Sequence, residues 1–179
     1  MNDKSIFHEE APINQFDTIY KIFPEAEIWK YLCRIGNEPA DIPHIDGVTT
    51  RPVIGKETEQ IRNLKQDWLW KYYDNPQEFC EKYDSIGVFK DDELLSISAV
   101  FSCSEKYSNI AAATHPDYRG RGYAGLASAS LANILLKNGK SIIWMTSEDN
   151  IPSQKIPQRL NFKPFIWRNT LFKINWKPS

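Results

Sequence analysis

The feature that most constrains this chain is a change of hydrophobic period across a short, basic, glycine-containing turn. Before the turn, Ser85–Lys90, Leu94–Cys103 and Asn109–Thr114 read as three strands. The acidic pair Asp91-Asp92 links the first two and predicts a hairpin, and the third is expected to pair antiparallel to the second. After His115-Pro116 the period becomes helical. Leu131, Ile134 and Leu135 mark one face of Gly122–Asn138, Ala124, Ala127 and Ser128 extend it, and Gly139 caps its end. Ser141–Thr146 follows as an almost wholly apolar run, the pattern of a central strand covered on both faces.

The remaining segments fill in the order. Val48–Ile54 is a short strand candidate in which Pro52 suggests an edge or an end. Glu57–Tyr73 repeats Ile61, Leu64, Trp68 and Tyr72 at helical spacing, Asn75-Pro76 stops it, and Pro76–Tyr83 has room for one or two more turns. Pro152–Leu160 reads as a short helix ended by Asn161, and Phe165–Trp176 as a closing strand. Glu25–Arg34 reads as a helix after Pro24, because Ile28, Trp29, Tyr31 and Leu32 have roughly helical spacing. The order β, α, β-β-β, α, β, α, β predicts an α/β or α+β fold with a mixed sheet. Residues 1–47 are set apart as a partly helical N-terminal extension, and residues 48–179 as the domain proper.

Composition removes several function classes. Twenty-two Lys and Arg against 23 Asp and Glu leave a net charge of -1, which argues against nucleic acid or an anionic membrane as partner. The first 15 residues lack a basic flank before an apolar run, and no apolar stretch is long enough to span a bilayer. Cys33, Cys80 and Cys103 form no CxxC pair, and His8, His44 and His115 are scattered, so no metal is expected. An odd cysteine count and the absence of a glycosylation sequon suggest a reducing, cytoplasmic setting.

The chemistry concentrates in Thr114-His115-Pro116-Asp117-Tyr118-Arg119-Gly120-Arg121-Gly122-Tyr123-Ala124. Glycines at 120 and 122 permit a tight turn in which successive N–H groups point into one concavity. The helix that follows adds the positive end of its dipole, and Arg119 and Arg121 add fixed charge, which together suit a pyrophosphate. The stretch is neither a Walker A loop nor GxGxxG, since the Gly-Lys-Ser/Thr ending and the third glycine are both missing.

With these residues the chain resembles the GNAT superfamily of acyl-CoA-dependent N-acetyltransferases. Arg119, Gly122 and Ala124 fit the family's Arg/Gln-x-x-Gly-x-Gly/Ala loop. Asn150, Ser153, Leu160, Asn161 and Phe162 fit its later Asn and Leu-Gly-Phe signature, with Asn161 in place of Gly. The likeness covers about 48–176. Asn75-Pro76-x-Glu-Phe79, the Thr-x-Pro-x-Tyr-Arg run and Trp144 look like a bacterial branch that includes antibiotic-modifying acetyltransferases.

The resemblance implies a mostly antiparallel sheet, splayed at the cofactor and flanked by helices. It implies acetyl-CoA as acyl donor and a primary amine of a small molecule or peptide as acceptor. The backbones of Ala112, Ala113 and Thr114 would meet the pantetheine arm, the loop Arg119, Gly120, Arg121, Gly122, Tyr123 and Ala124 the pyrophosphate, and Asn150 and Ser153 the pantetheine or phosphate end. Two family positions differ: Asn109 stands where a Glu often serves as base, and Pro157 where a Tyr often serves as acid. Glu148 is then the candidate base, with Glu105 and Asp149 as alternatives, and Tyr107, Tyr118 and Tyr123 are possible sources of a hydroxyl. These departures also leave open a non-catalytic acyl-CoA-binding or regulatory module, and the scaffold would equally suit transfer of a larger acyl group. Trp68, Trp70, Tyr72 and Tyr73 are read as core, with an aromatic acceptor wall as the minor alternative.

Overall fold

Among the residues described by the computed structural model, 27–173, seven strands form one sheet. They are β1 (Glu27–Gly36), β2 (Thr49–Pro52), β3 (Ser85–Lys90), β4 (Glu93–Cys103), β5 (Tyr107–Thr114), β6 (Ser141–Ser147) and β7 (Lys163–Lys173). Their spatial order is β2-β3-β4-β5-β6-β1-β7. The α-helices are α1 (Pro76–Lys82), α2 (Tyr123–Lys137) and α3 (Ile151–Arg159). All pairings are antiparallel except β5 with β6, so the sheet is mixed, as the element order predicts, and mostly antiparallel, as the resemblance implies.

Local chemistry accounts for most boundaries. Asp91 takes a left-handed φ of 51° in the β3–β4 turn, a conformation Asp tolerates better than most residues. Pro52 ends β2 at the sheet edge, where its missing N–H costs no ladder bond. Asn75 caps α1 by accepting from Glu78 N–H at 2.9 Å. The end of α2 is a Schellman motif: Lys140 N–H reaches Leu135 O and Gly139 N–H reaches Leu136 O, with Gly139 at φ +78°.

Three expectations are corrected. The segment read as a helix over Glu25–Arg34 is strand β1 from Glu27 onward; Pro24 and the rest of residues 1–26 lie outside the described residues, as does 174–176 of the closing strand. Partners on both sides decide this: Tyr31–Gly36 pair with β6, and β7 pairs along the other edge. A strand therefore stands in the sheet within the stretch set apart as an N-terminal extension. Glu57–Tyr73 is not one helix. It is a 3-10 helix Gly55–Leu64, a left-handed Lys65 at φ 53°, and a short 3-10 turn Asp67–Leu69. Finally, β6 is not covered on both faces, since Ile142, Trp144 and Thr146 are buried while Met145 is 37% exposed.

The core lies on both sides of the sheet. Ile86, Val100, Ile110, Ile142 and Trp144 pack under α2 and the segment Leu160–Phe162. On the other face Phe89, Ile97, Ala99 and Ala113 pack under the 3-10 helices and α1 through Ile61, Leu64, Leu69 and Phe79. Two close approaches depend on glycine: a Cβ on Gly36 would lie 2.4 Å from the Phe162 ring, and one on Gly87 would lie 2.5 Å from the Phe89 ring.

Candidate functional site

The site begins where β5 and β6 part. Their parallel pairing consists of Tyr107↔Ser141, Ser108↔Ile142 and Asn109↔Ile143. Beyond that rung, β5 stays with β4 as far as Thr114, while β6 stays with β1 as far as Ser147. Side-chain hydroxyls hold β5 to β4 along this stretch. Ser96 Oγ donates to Ala113 O at 2.8 Å and lies 2.8 Å from Thr114 Oγ1, and Ser98 Oγ donates to Ala111 O at 3.2 Å.

The β4–β5 register decides which backbone groups face the opening. His115 N–H donates to Leu95 O at 2.9 Å, and hydrogen-bonded rows alternate along an antiparallel ladder. The rows Ile97/Ala113 and Ala99/Ala111 are therefore bonded across to β4, and Ala112 and Thr114 turn their N–H and C=O toward β6. Of the three residues expected to meet a ligand, Ala113 is thus committed to β4, with its side chain buried in the core.

The opening runs up to the glycine turn. The short 3-10 turn Pro116–Tyr118 leads into Arg119, and Gly120 and Gly122 adopt φ +78° and +86°. Gly122 is the N-cap of α2 and supplies no side-chain cap. The first helical bond is Leu126 N–H to Gly122 O at 3.0 Å, so the amides of Tyr123, Ala124 and Gly125 have no partner within the helix. Arg119 and Arg121 are exposed. Arg121 Nη2 donates to Asp117 O at 3.3 Å, and Arg119 Nε reaches Thr114 O at 3.5 Å. Two exposed guanidinium groups, three amides without a helical partner and the positive end of a helix dipole thus belong to one turn, a combination that suits a phosphate group.

The structure gives Asn150 and Ser153 local tasks. Asn150 Oδ1 caps α3 by accepting from Ser153 N–H at 3.1 Å, and Ser153 Oγ accepts from the buried Trp144 indole at 3.2 Å. Both stand at the outer end of β6, beside the opening. Glu148 is half-buried at the same end, and its backbone carbonyl accepts from Gln154 Nε2 at 2.6 Å.

Several candidates fall elsewhere. Glu105 in the β4–β5 turn and Tyr107 at the first residue of β5 stand at the end of β5 remote from the opening, where Glu105 O accepts from Lys140 Nζ. The Tyr123 side chain packs with Val88, Leu95, Leu126 and Ala127, leaving only its backbone for a ligand. The Tyr118 hydroxyl donates to Glu93 Oε2 at 3.2 Å, and that carboxylate raises the phenol above its usual pKa. Pro157 is buried inside α3 and offers no proton.

One residue escaped the sequence reading. Tyr31 on β1 lies opposite Ser147, and its pKa is raised by burial and, secondarily, by the charge of Asp149. Reading its segment as a helix hid this, because only strand pairing brings it to the outer end of β6. Among the described residues, no group of three or more His, Cys, Asp or Glu side chains could hold a metal ion, and no helix is long and apolar enough to cross a membrane.

Comparison with known proteins agrees with this geometry. The profile of the GNAT acetyltransferase family matches residues 47–165. Among curated proteins no relative matches the chain. A GCN5-related N-acetyltransferase-like protein from Streptococcus suis superposes with a TM-score of 0.68 at 15% identity, covering 90% of this chain and 68% of that one. A GCN5-related N-acetyltransferase from Kribbella flavida gives 0.67 at 15% identity, covering 96% and 68%. A GNAT-family acetyltransferase from Colwellia psychrerythraea gives 0.68 at 16%, covering 93% and 63%. The chain thus spans about two thirds of the length of these structures, and at such identities the likeness is one of fold.

Proposed function

We propose, starting from the fact that the chain belongs to the GNAT acetyltransferase family, that it transfers an acetyl group from acetyl-CoA to a primary amine. The observation that carries this reading is the β5–β6 opening leading to the two-glycine turn at the start of α2. The backbones of Ala112 and Thr114 would hold the pantetheine arm in the manner of a strand partner. The amides of Tyr123, Ala124 and Gly125, with Arg119 and Arg121, would bind the pyrophosphate. Asn150 and Ser153 would flank the arm from α3. When bound, acetyl-CoA supplies an activated thioester whose thiolate leaves readily near neutral pH, since an ordinary thiol titrates at about 8.5.

The protein's own part is mainly positional: the opening holds thioester and amine in attack geometry. Asn109, at the last β5–β6 rung, is not a base, and the strand residues beyond it on both sides of the opening include no carboxylate. Glu148, one residue past the end of β6, is the first carboxylate on that side, and it would take the ammonium proton through water. Glu148→Gln is expected to lower kcat/KM at least about tenfold with CoA affinity unchanged. An unaltered rate would remove Glu148 from the mechanism and leave the cofactor assignment standing.

The pH profile is a second check. With Pro157 in place of an acid, and with Tyr31 and Tyr118 held above the ordinary phenol range, the rate should climb as the free amine fraction grows. It should show no descending limb below about pH 10, the unperturbed phenol value. A fall between pH 8 and 9 would point to a titrating acid that this mechanism lacks.

Calorimetric titration with acetyl-CoA, followed by an amine panel with free-thiol detection, tests the whole reading. Absence of binding at millimolar acetyl-CoA defeats it. Binding without turnover of any amine favours the acyl-CoA-binding module that Asn109 and Pro157 would suit.

A further inference from the structure

Within the sequence Trp68-Leu69-Trp70, the chain sends its apolar groups in two directions. Leu69 is fully buried and Trp70 packs against the same cluster, whereas Trp68 is 39% exposed. The Trp68 indole N–H is satisfied by Gln66 Oε1 at 2.7 Å, and its ring lies 6.2 Å from that of Phe101. Folding alone does not call for a large apolar ring left facing water beside a second one.

The sheet register says where this pair sits. Phe101 occupies the irregularity in β4 between Val100 and Ser102, and Ser102 pairs with Asn109. Asn109 pairs in turn with Ile143, and Ile143 with Ile35. This row crosses the sheet at the last rung before β5 and β6 part. Strands lie about 4.8 Å apart, so Phe101 is within about 10 Å of the start of the opening. Asn109 shares a sheet face with Ala111 and Ala113, which pack toward the cluster that holds Leu69, and Met145 points away from the buried Trp144 side. Trp68, Phe101, Asn109 and Met145 therefore share the face opposite α2 at the place where an acetyl group would emerge.

The row Ser102, Asn109, Ile143 and Ile35, and Phe101 beside it, carry no formal charge. The Arg62 guanidinium lies 4.6 Å from the Trp70 ring, and Lys71 lies over Tyr72. Asp67, exposed beside Trp68 on the same 3-10 turn, is the carboxylate at hand for the ammonium of an acceptor whose ring meets Trp68.

We propose that the acceptor is a primary amine carried on a flat aromatic body, an arylalkylamine, whose ring packs against Trp68 and Phe101. This inference rests on the acetyl-transfer reading above and adds the class of its second substrate. Stacking and apolar burial at such a wall correspond to about tenfold in affinity, so Trp68 and Phe101 act as specificity residues and leave the cofactor untouched.

The test uses the full chain loaded with CoA and calorimetric titration with 2-phenylethylamine, tyramine, tryptamine, n-butylamine and spermidine. At least one arylalkylamine should bind about tenfold or more tightly than n-butylamine and more tightly than spermidine. Trp68→Ala should erase that preference while the CoA Kd and melting temperature stay near wild type, and Trp68→Phe should restore most of it. Phe101→Ala is the second variant and should act in the same direction. Equal binding of aryl and alkyl amines, strongest binding of spermidine, no binding of any arylalkylamine, or an intact preference in Trp68→Ala each overturns the proposal. Failure of the wild-type chain to bind CoA at the loading step would instead count against the acetyl-transfer reading itself.

Discussion

Gly122→Val is expected to lose CoA binding by at least about a hundredfold while the domain stays folded. Gly122 sits at φ +86°, a region where a β-branched residue is an outlier. Forcing valine there costs about 1–3 kcal/mol, or else the turn rearranges and the amides of 123–125 lose their common direction. A Cβ at this position would stand 3.4 Å from Ile45 Cδ1, an ordinary contact, so the left-handed backbone and not a clash carries the effect. Gly120 offers an internal comparison: its φ is +78°, and a Cβ there would meet nothing within 4 Å. Gly120→Ala, without a β-branch, should weaken CoA less than Gly122→Val, by strain alone. Isothermal titration of both variants decides the matter. Wild-type affinity in Gly122→Val would remove the turn from the cofactor site.

The second large effect is on stability. Gly36→Ala should destabilise the protein by about 1–3 kcal/mol, the usual cost of overpacking a filled core. The added methyl would lie 2.4, 2.6 and 2.8 Å from three atoms of the Phe162 ring. That ring is 2% exposed, and its backbone is held by Arg34 Nη1, which donates to Phe162 O at 2.9 Å. At about 2–4 °C per kcal/mol for a chain of this size, the melting temperature should fall by several degrees. Phe162→Leu frees space at the same spot, so the double variant should recover part of the loss in a thermal double-mutant cycle. Strictly additive losses would show that ring and glycine are not in the contact described.

Sequence and structure agree best where local chemistry acts over a few residues. The hairpin at Asp91-Asp92, the glycine ending of α2 and the left-handed Asn161 each follow from one or two residues, whereas Asn75, read only as a stop, turns out to cap α1. The basic glycine turn was legible for the same reason, since backbone freedom at 120 and 122 is a property of those residues wherever they stand. The 3-10 segments were not legible. The spacing of Ile61, Leu64 and Trp68 suits an α-helix, but Lys65 turns left-handed and releases Trp68 from the buried face.

What only the tertiary structure decided is pairing. Glu27–Gly36 has a pattern that a helix accepts, and it becomes a strand because β6 and β7 offer it hydrogen bonds along both edges. The same partnership places Tyr31 beside the outer end of β6 and Gly36 against Phe162, two contacts between residues over one hundred positions apart in sequence. Which backbone groups face the opening follows from the β4–β5 register, set by the row Leu95/His115, and a run of alanines carries no trace of it. The sequence by itself determined the β3–β4 turn, the glycine end of α2 and the left-handed, basic two-glycine turn before it, because these are local properties of single residues. The strand order, the point where β5 leaves β6 and the face that Trp68 presents depend on distant partners, and only the folded sheet could supply them.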